Sequence, residues 1–61
     1  MKVYVVYKHY YNGLEEWSHV VSIHMSEEGA YLKTEYLEEK EGSSDQYHDL
    51  TFYYEMWETE E

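Results

Sequence analysis

Lys2-Val3-Tyr4-Val5-Val6-Tyr7-Lys8-His9-Tyr10-Tyr11, then Asn12-Gly13, then Leu14-Glu15-Glu16-Trp17-Ser18-His19-Val20-Val21-Ser22-Ile23-His24-Met25, is the stretch on which the fold turns. Valine and tyrosine fit a pleated, half-buried surface. Asn-Gly between two such runs is a strong short-range hairpin signal, because a type I′ turn needs positive φ at both central residues. With Asn12 and Gly13 at the turn, Tyr10 faces Glu15, Lys8 faces Trp17, Val6 faces His19 and Tyr4 faces Val21. That register places Tyr4, Val6, Trp17, His19, Val21 and Ile23 on one face, and Val3, Val5, Tyr7 and Val20 on the other. Both faces carry apolar groups, so a longer loop with a shifted register stays open.

Downstream, Ser26 is a good helix N-cap, with Glu27 and Glu28 in the first turn where the helix dipole favours anions. The capping box is incomplete, since Gly29 stands where Glu or Gln would reach back. The helix is expected to run to about Glu41, with Gly42 as its stop. At about 100° per residue, Ala30, Leu32, Tyr36 and Leu37 fall on one broad arc with Lys33 and Lys40 inside it. Glu27, Glu28, Glu35, Glu38 and Glu39 fall on the opposite arc. Ser43-Ser44-Asp45-Gln46 reads as a polar loop. From His48 to Glu58 the chain alternates, with Leu50, Phe52, Tyr54 and Met56 on one side and Thr51, Tyr53, Glu55 and Trp57 on the other, a third strand. The tail, Glu58 to Glu61, is expected to fray.

The order β-β-α-β makes the link from second to third strand a crossover, so those two strands run parallel and flank the first. The fold class is α+β: a three-stranded antiparallel sheet, order 2-1-3, with one helix on one face, forming a single domain over 1–61. One helix covers one face only. The other face carries aromatic rings that need water, a second subunit or a partner.

The opening Lys2-Val3-Tyr4-Val5-Val6-Tyr7 and the segment Val21-Ser22-Ile23-His24-Met25-Ser26-Glu27-Glu28-Gly29-Ala30 resemble a group of small, mostly uncharacterised bacterial and phage ββαβ proteins. These open on Lys-Val-Tyr-Val and carry Ile-Gly-Val-Phe followed by Ser-x-Glu-Glu-Ala. Ser22 stands here for the usual glycine and His24 for the usual aromatic. Leu50-Thr51-Phe52-Tyr53-Tyr54-Glu55-Met56 is similar to their last strand. The resemblance implies the fold and no activity. In size and acidity the chain is also similar to phage-encoded inhibitors of host proteins.

Composition narrows the function. The chain has 61 residues and no cysteine, which excludes disulfides and thiolate metal sites. Its net charge is −10, which argues against direct binding to nucleic acid or to anionic membranes. Yet 20% of residues are aromatic, unlike a disordered chain. No segment is apolar enough to span a membrane, and the first residues run straight into a strand pattern with no signal-peptide region. A complete chain in the cytoplasm of a bacterial host cell is therefore expected. His9, His19, His24 and His48 show no metal-ligand spacing, although His9 faces Glu16. No cofactor or metal is expected. There is no phosphate loop or activated nucleophile, and so short a chain offers no cleft for paired carboxylates, so no enzyme is expected.

Two features stand out. Carboxylates at Glu27, Glu28, Glu35, Glu38 and Glu39 are spaced about 5–6 Å apart at neighbouring helical positions, comparable to phosphates along a strand. The bland reading of that face is solubility. Tyr10, Tyr11, Trp17, Tyr53 and Trp57 are the candidate aromatic contacts, because such rings anchor interfaces at little cost in rotamer entropy. The expectation is a non-enzymatic binding protein that inhibits a basic, nucleic-acid-processing host or defence protein, by nucleic-acid mimicry. The alternative is a small structural domain that homodimerises through its open sheet face.

Overall fold

The computed structural model describes residues 1–44 and 49–60. The strands are β1 (Lys2–Tyr11), β2 (Glu16–His24), β3 (Ser43–Ser44) and β4 (Asp49–Glu58), with helix α1 (Glu27–Lys40) between β2 and β3. The sheet order is β2-β1-β4-β3, and each neighbouring pair is antiparallel. The three long strands therefore take the order and directions expected of β-β-α-β. The two-residue β3, a loop by its sequence, adds a short fourth strand beside Asp49 and Leu50. His48, Asp45 and Gln46 lie outside the described residues.

β1 is central because it alone is apolar on both sides: adjacent Val5 and Val6 are both buried, although they point to opposite faces. The helix lies on the even-numbered face of β1. Val6, Ala30, Leu37 and Phe52 form the core there, with Tyr4, Leu50 and Tyr54 packed against it. Two layers meet over part of the sheet only. The radius of gyration is 12.8 Å, against roughly 10.5 Å for a compact chain of this length. The molecule is a slab of 43 × 22 × 11 Å.

The hairpin turn is centred one residue later than the Asn-Gly signal suggests. Gly13 is the one residue with positive φ among those described, at 90°. Asn12 is closed to Glu15 by Asn12 N–H donating to the Glu15 carbonyl at 3.1 Å. Gly13 and Leu14 thus form the tip, with glycine first, as in type II′ turns. The Asn12 side chain explains the shift: its Oδ1 accepts from the N–H groups of Leu14, at 2.9 Å, and Glu15, at 2.6 Å. An Asx turn of this kind competes with the I′ geometry.

Moving the centre by one residue changes partners but keeps faces, so Tyr10 pairs with Trp17 and Lys8 with His19. A bulge then changes the faces. Tyr7 pairs with Val20, but Val6 pairs with Ser22, leaving Val21 as the extra residue. Beyond it, Ile23 pairs with Val5 and His24 with Tyr4. Tyr4, Val6, Trp17 and His19 share the helix side as expected. Val21 and Ile23 do not join them, and Ile23 stands on the open face.

The helix begins and ends where its signals lie. Ser26 Oγ accepts from Gly29 N–H at 3.1 Å. Gly29 itself is close to His24: a Cβ there would sit 3.2 Å from Ser26 Oγ and 3.4 Å from His24 Nδ1. At the other end Gly42 N–H reaches the Leu37 and Glu38 carbonyls, both at 3.1 Å. A Cβ on Gly42 would lie 2.5 Å from the Glu38 carbonyl oxygen, so glycine is required by close approach. The tail is held at Thr59, whose N–H donates to the Met1 carbonyl at 2.8 Å while the Met1 amino group donates back at 3.1 Å. Fraying from Glu58 is thus corrected to an ordered contact one residue further on.

Candidate interaction surfaces

The helix arc is narrower and the acidic arc wider than periodicity alone implies. Ala30 and Leu37 are buried, but Leu32 and Tyr36 are both 55% exposed. The carboxylates are not all on an outer face. Glu38 Oε1 accepts from Phe52 N–H at 2.8 Å, and Tyr54 OH donates to Glu27 Oε2 at 3.4 Å. Both glutamates therefore face β4. Glu38 also holds the sheet edge. Strand β3 covers β4 only as far as Leu50, and the next outward-facing N–H is that of Phe52. A carboxylate in its place satisfies an otherwise open strand edge.

The rest of the acidic set points to solvent. Glu28, Glu35 and Glu39 are exposed, and at 3.6 residues per turn they fall within about 40° of one another. Tyr31 OH donates to Glu35 Oε1 at 2.9 Å. That hydrogen bond, and the Glu35 charge behind it, hold the Tyr31 hydroxyl above its ordinary pKa. Tyr54 is also raised, first by burial and then by the charge of Glu27. Thr34, Glu35, Glu38 and Glu39 line a shallow groove. The helix lysines are segregated from these carboxylates. Lys33 and Lys40 each place Nζ 5.9 Å from the Tyr36 ring centre, on the other flank.

The five aromatic candidates do not form one surface. Tyr10 and Trp17 stack with ring centres 5.2 Å apart, and Trp17 stacks in turn on His19 at 5.0 Å. This stack is on the helix side of the sheet, over the part of β2 that α1 leaves bare. Tyr11, Tyr53 and Trp57 belong to the open face. There Tyr53 stacks on Tyr7 at 5.1 Å, and Trp57 Nε1 donates to Tyr7 OH at 2.9 Å. Periodicity places Tyr7 opposite the helix. Its function as the anchor of both rings depends on the β1–β4 register, which no sequence signal fixes. Val20 and Ile23 complete the open face and are 52% and 62% exposed.

His9 Nε2 lies 3.2 Å from Glu16 Oε2. The pair meets diagonally, because His9 is directly opposite Ser18 and Glu16 opposite Tyr11. Among the described residues no group of three His, Asp or Glu side chains is placed to hold a metal ion. No helix among them is long and apolar enough to cross a membrane. Comparison with known protein families, curated proteins and solved structures found no match.

Proposed function

We propose that this chain is a small acidic, non-enzymatic binding protein, phage-encoded and active in the bacterial cytoplasm, that inhibits a host or defence protein that processes nucleic acid. The reading has one main support: Glu28, Glu35 and Glu39 stand exposed along one flank of α1, with Lys33 and Lys40 held on the other. An unneutralised carboxylate stripe suits the basic groove in which such a protein holds phosphates. Glu27 and Glu38 belong to the same flank but have contacts with β4, so they contribute charge and not a free surface.

The test is capture of a basic partner from bacterial lysate, followed by binding assays with Glu28→Lys, Glu35→Lys and Glu39→Lys combined. Leaving Glu38 in place preserves the bond to Phe52. The triple variant is expected to lose affinity mainly through a slower on-rate with weaker salt dependence, and nucleic acid should displace the parent chain. Unchanged binding by the variant overturns mimicry. A second reading is self-association into a homodimer through the uncovered sheet face with Tyr53 and Trp57 on it, and sedimentation of the chain alone separates the two.

A further inference from the structure

The open face has a charge pattern that distinguishes its possible occupants. Odd-numbered residues of β1 and β4 stand on it, with Glu16, Ser18, Val20 and Ile23 of β2. Val5, 8% exposed, is at its centre. Its direct neighbours across the sheet are Ile23 on β2 and Glu55 on β4. The adjoining positions are Tyr7 with Val20 and Tyr53, and Val3 with Trp57. Glu55 is thus an exposed carboxylate set among apolar and aromatic groups. No lysine shares this face. Lys2 and Lys8 occupy even positions of β1, and Lys33 and Lys40 are on the helix. His9 Nε2 pairs with Glu16 Oε2 across this face at 3.2 Å.

Covering this face desolvates Glu55, and a carboxylate taken from water needs a cation or several donors. A second copy sets hydroxyl donors and His9 against it but no lysine, and adds another Glu55, another Glu16 and a further net charge of −10. A partner of opposite charge gains in encounter and register on this face what a second copy of the same charge loses.

We propose that the open sheet face docks a basic protein surface that presents an arginine or lysine to Glu55 between apolar side chains. Arginine fits best, since its planar guanidinium can pair with the carboxylate while lying against the Tyr53 or Trp57 ring. The Tyr7–Tyr53 stack and the Trp57–Tyr7 hydrogen bond hold these rings in place beforehand, which lowers the entropy lost on binding. This inference rests on the reading of the chain as a binder of basic proteins and assigns it a contact separate from the helix stripe.

The experiment is an NMR titration of the full chain with a synthetic peptide alternating arginine and leucine, against an arginine–glycine peptide of equal charge and a glutamate–leucine peptide. Saturable shifts are expected for the arginine–leucine peptide at Val5, Val20, Ile23, Tyr53, Glu55 and Trp57, with Glu55→Gln weakening affinity about tenfold or more. Trp17→Ala, on the other face, should leave it unchanged. Shifts confined to Glu28, Glu35 and Glu39 overturn the inference while leaving the helix stripe as a contact. Equal binding of the arginine–glycine peptide, indifference to Glu55→Gln, or a dimer closed over Tyr53 and Trp57 without peptide also overturn it. Open-face shifts combined with undiminished partner binding by the helix triple variant would retain this surface and remove mimicry.

Discussion

The two faces of the sheet differ in what buries them and in how their charges are mixed. On the helix side Val6 and Ala30 are fully buried, and Leu37 and Phe52 nearly so. The open side buries Val5 alone and leaves Ile23, Val20, Trp57 and Tyr53 partly in water. The helix side carries the lysines beside a larger set of glutamates, whereas the open side carries Glu16, Asp49 and Glu55 and no lysine. The covered face therefore makes the fold, and the open face is apolar surface that the chain leaves uncovered, marked with negative charge. Val5 and Val6 give the clearest contrast, since they are the same residue type at adjacent positions of one strand.

The greatest loss of stability is expected on the covered face. Val6→Ala removes buried methyl groups from an enclosed site and should cost about 2–3 kcal/mol in denaturant unfolding. Val5→Ala, beside solvent, should cost about 1 kcal/mol. Equal losses would mean that the two faces contribute alike and would erase the contrast. Next comes the edge of β4. Glu38→Gln weakens a charge-assisted bond to the Phe52 N–H and should cost about 1 kcal/mol, after allowing for solvent around the carboxylate. Glu35→Gln, whose partner is an exposed tyrosine hydroxyl, should leave stability unchanged. If the two variants behave alike, Glu38 is only part of the charged stripe.

A weaker effect concerns pH. Tyr31 and Tyr54 are raised above their ordinary value of 10.0. The folded chain keeps these protons longer than the unfolded chain does. The stabilisation they bring is complete below about pH 10 and is lost as pH rises through the higher folded values. Melting temperatures should thus be level up to about pH 9 with respect to these groups and fall above pH 10. Tyr31→Phe with Tyr54→Phe should flatten the fall, and an unchanged slope would assign it to other groups.

Much of this architecture is legible in the residues. The alternation from Leu50 to Met56, the Ser26 cap, the Gly42 stop and the hydrophobic character of both sides of β1 each identify their element. What the sequence leaves undetermined are relations between elements. Val20 and Val21 are identical, so no binary pattern reveals which of them is the bulge that moves Ile23 to the other face. Asn12-Gly13 signals a turn, but the Asn12 side chain decides its centre. Five helix glutamates look alike in the sequence, and only the end of β3 makes Glu38 the one that accepts from a backbone N–H of β4. Leu32 and Tyr36 read as core because periodicity gives an arc and not its width. A single helix over β1 and β4 needs little more than Ala30 and Leu37.

If the open face is kept free for a partner of opposite charge, the chain by itself should not close over it. Sedimentation equilibrium of the chain alone decides this, at about 0.15 M salt where the Debye length is about 8 Å. One species at the chain mass of 7.5 kDa is expected up to the highest concentration reached. A dimer that Glu55→Lys or Trp57→Ala dissociates would contradict it.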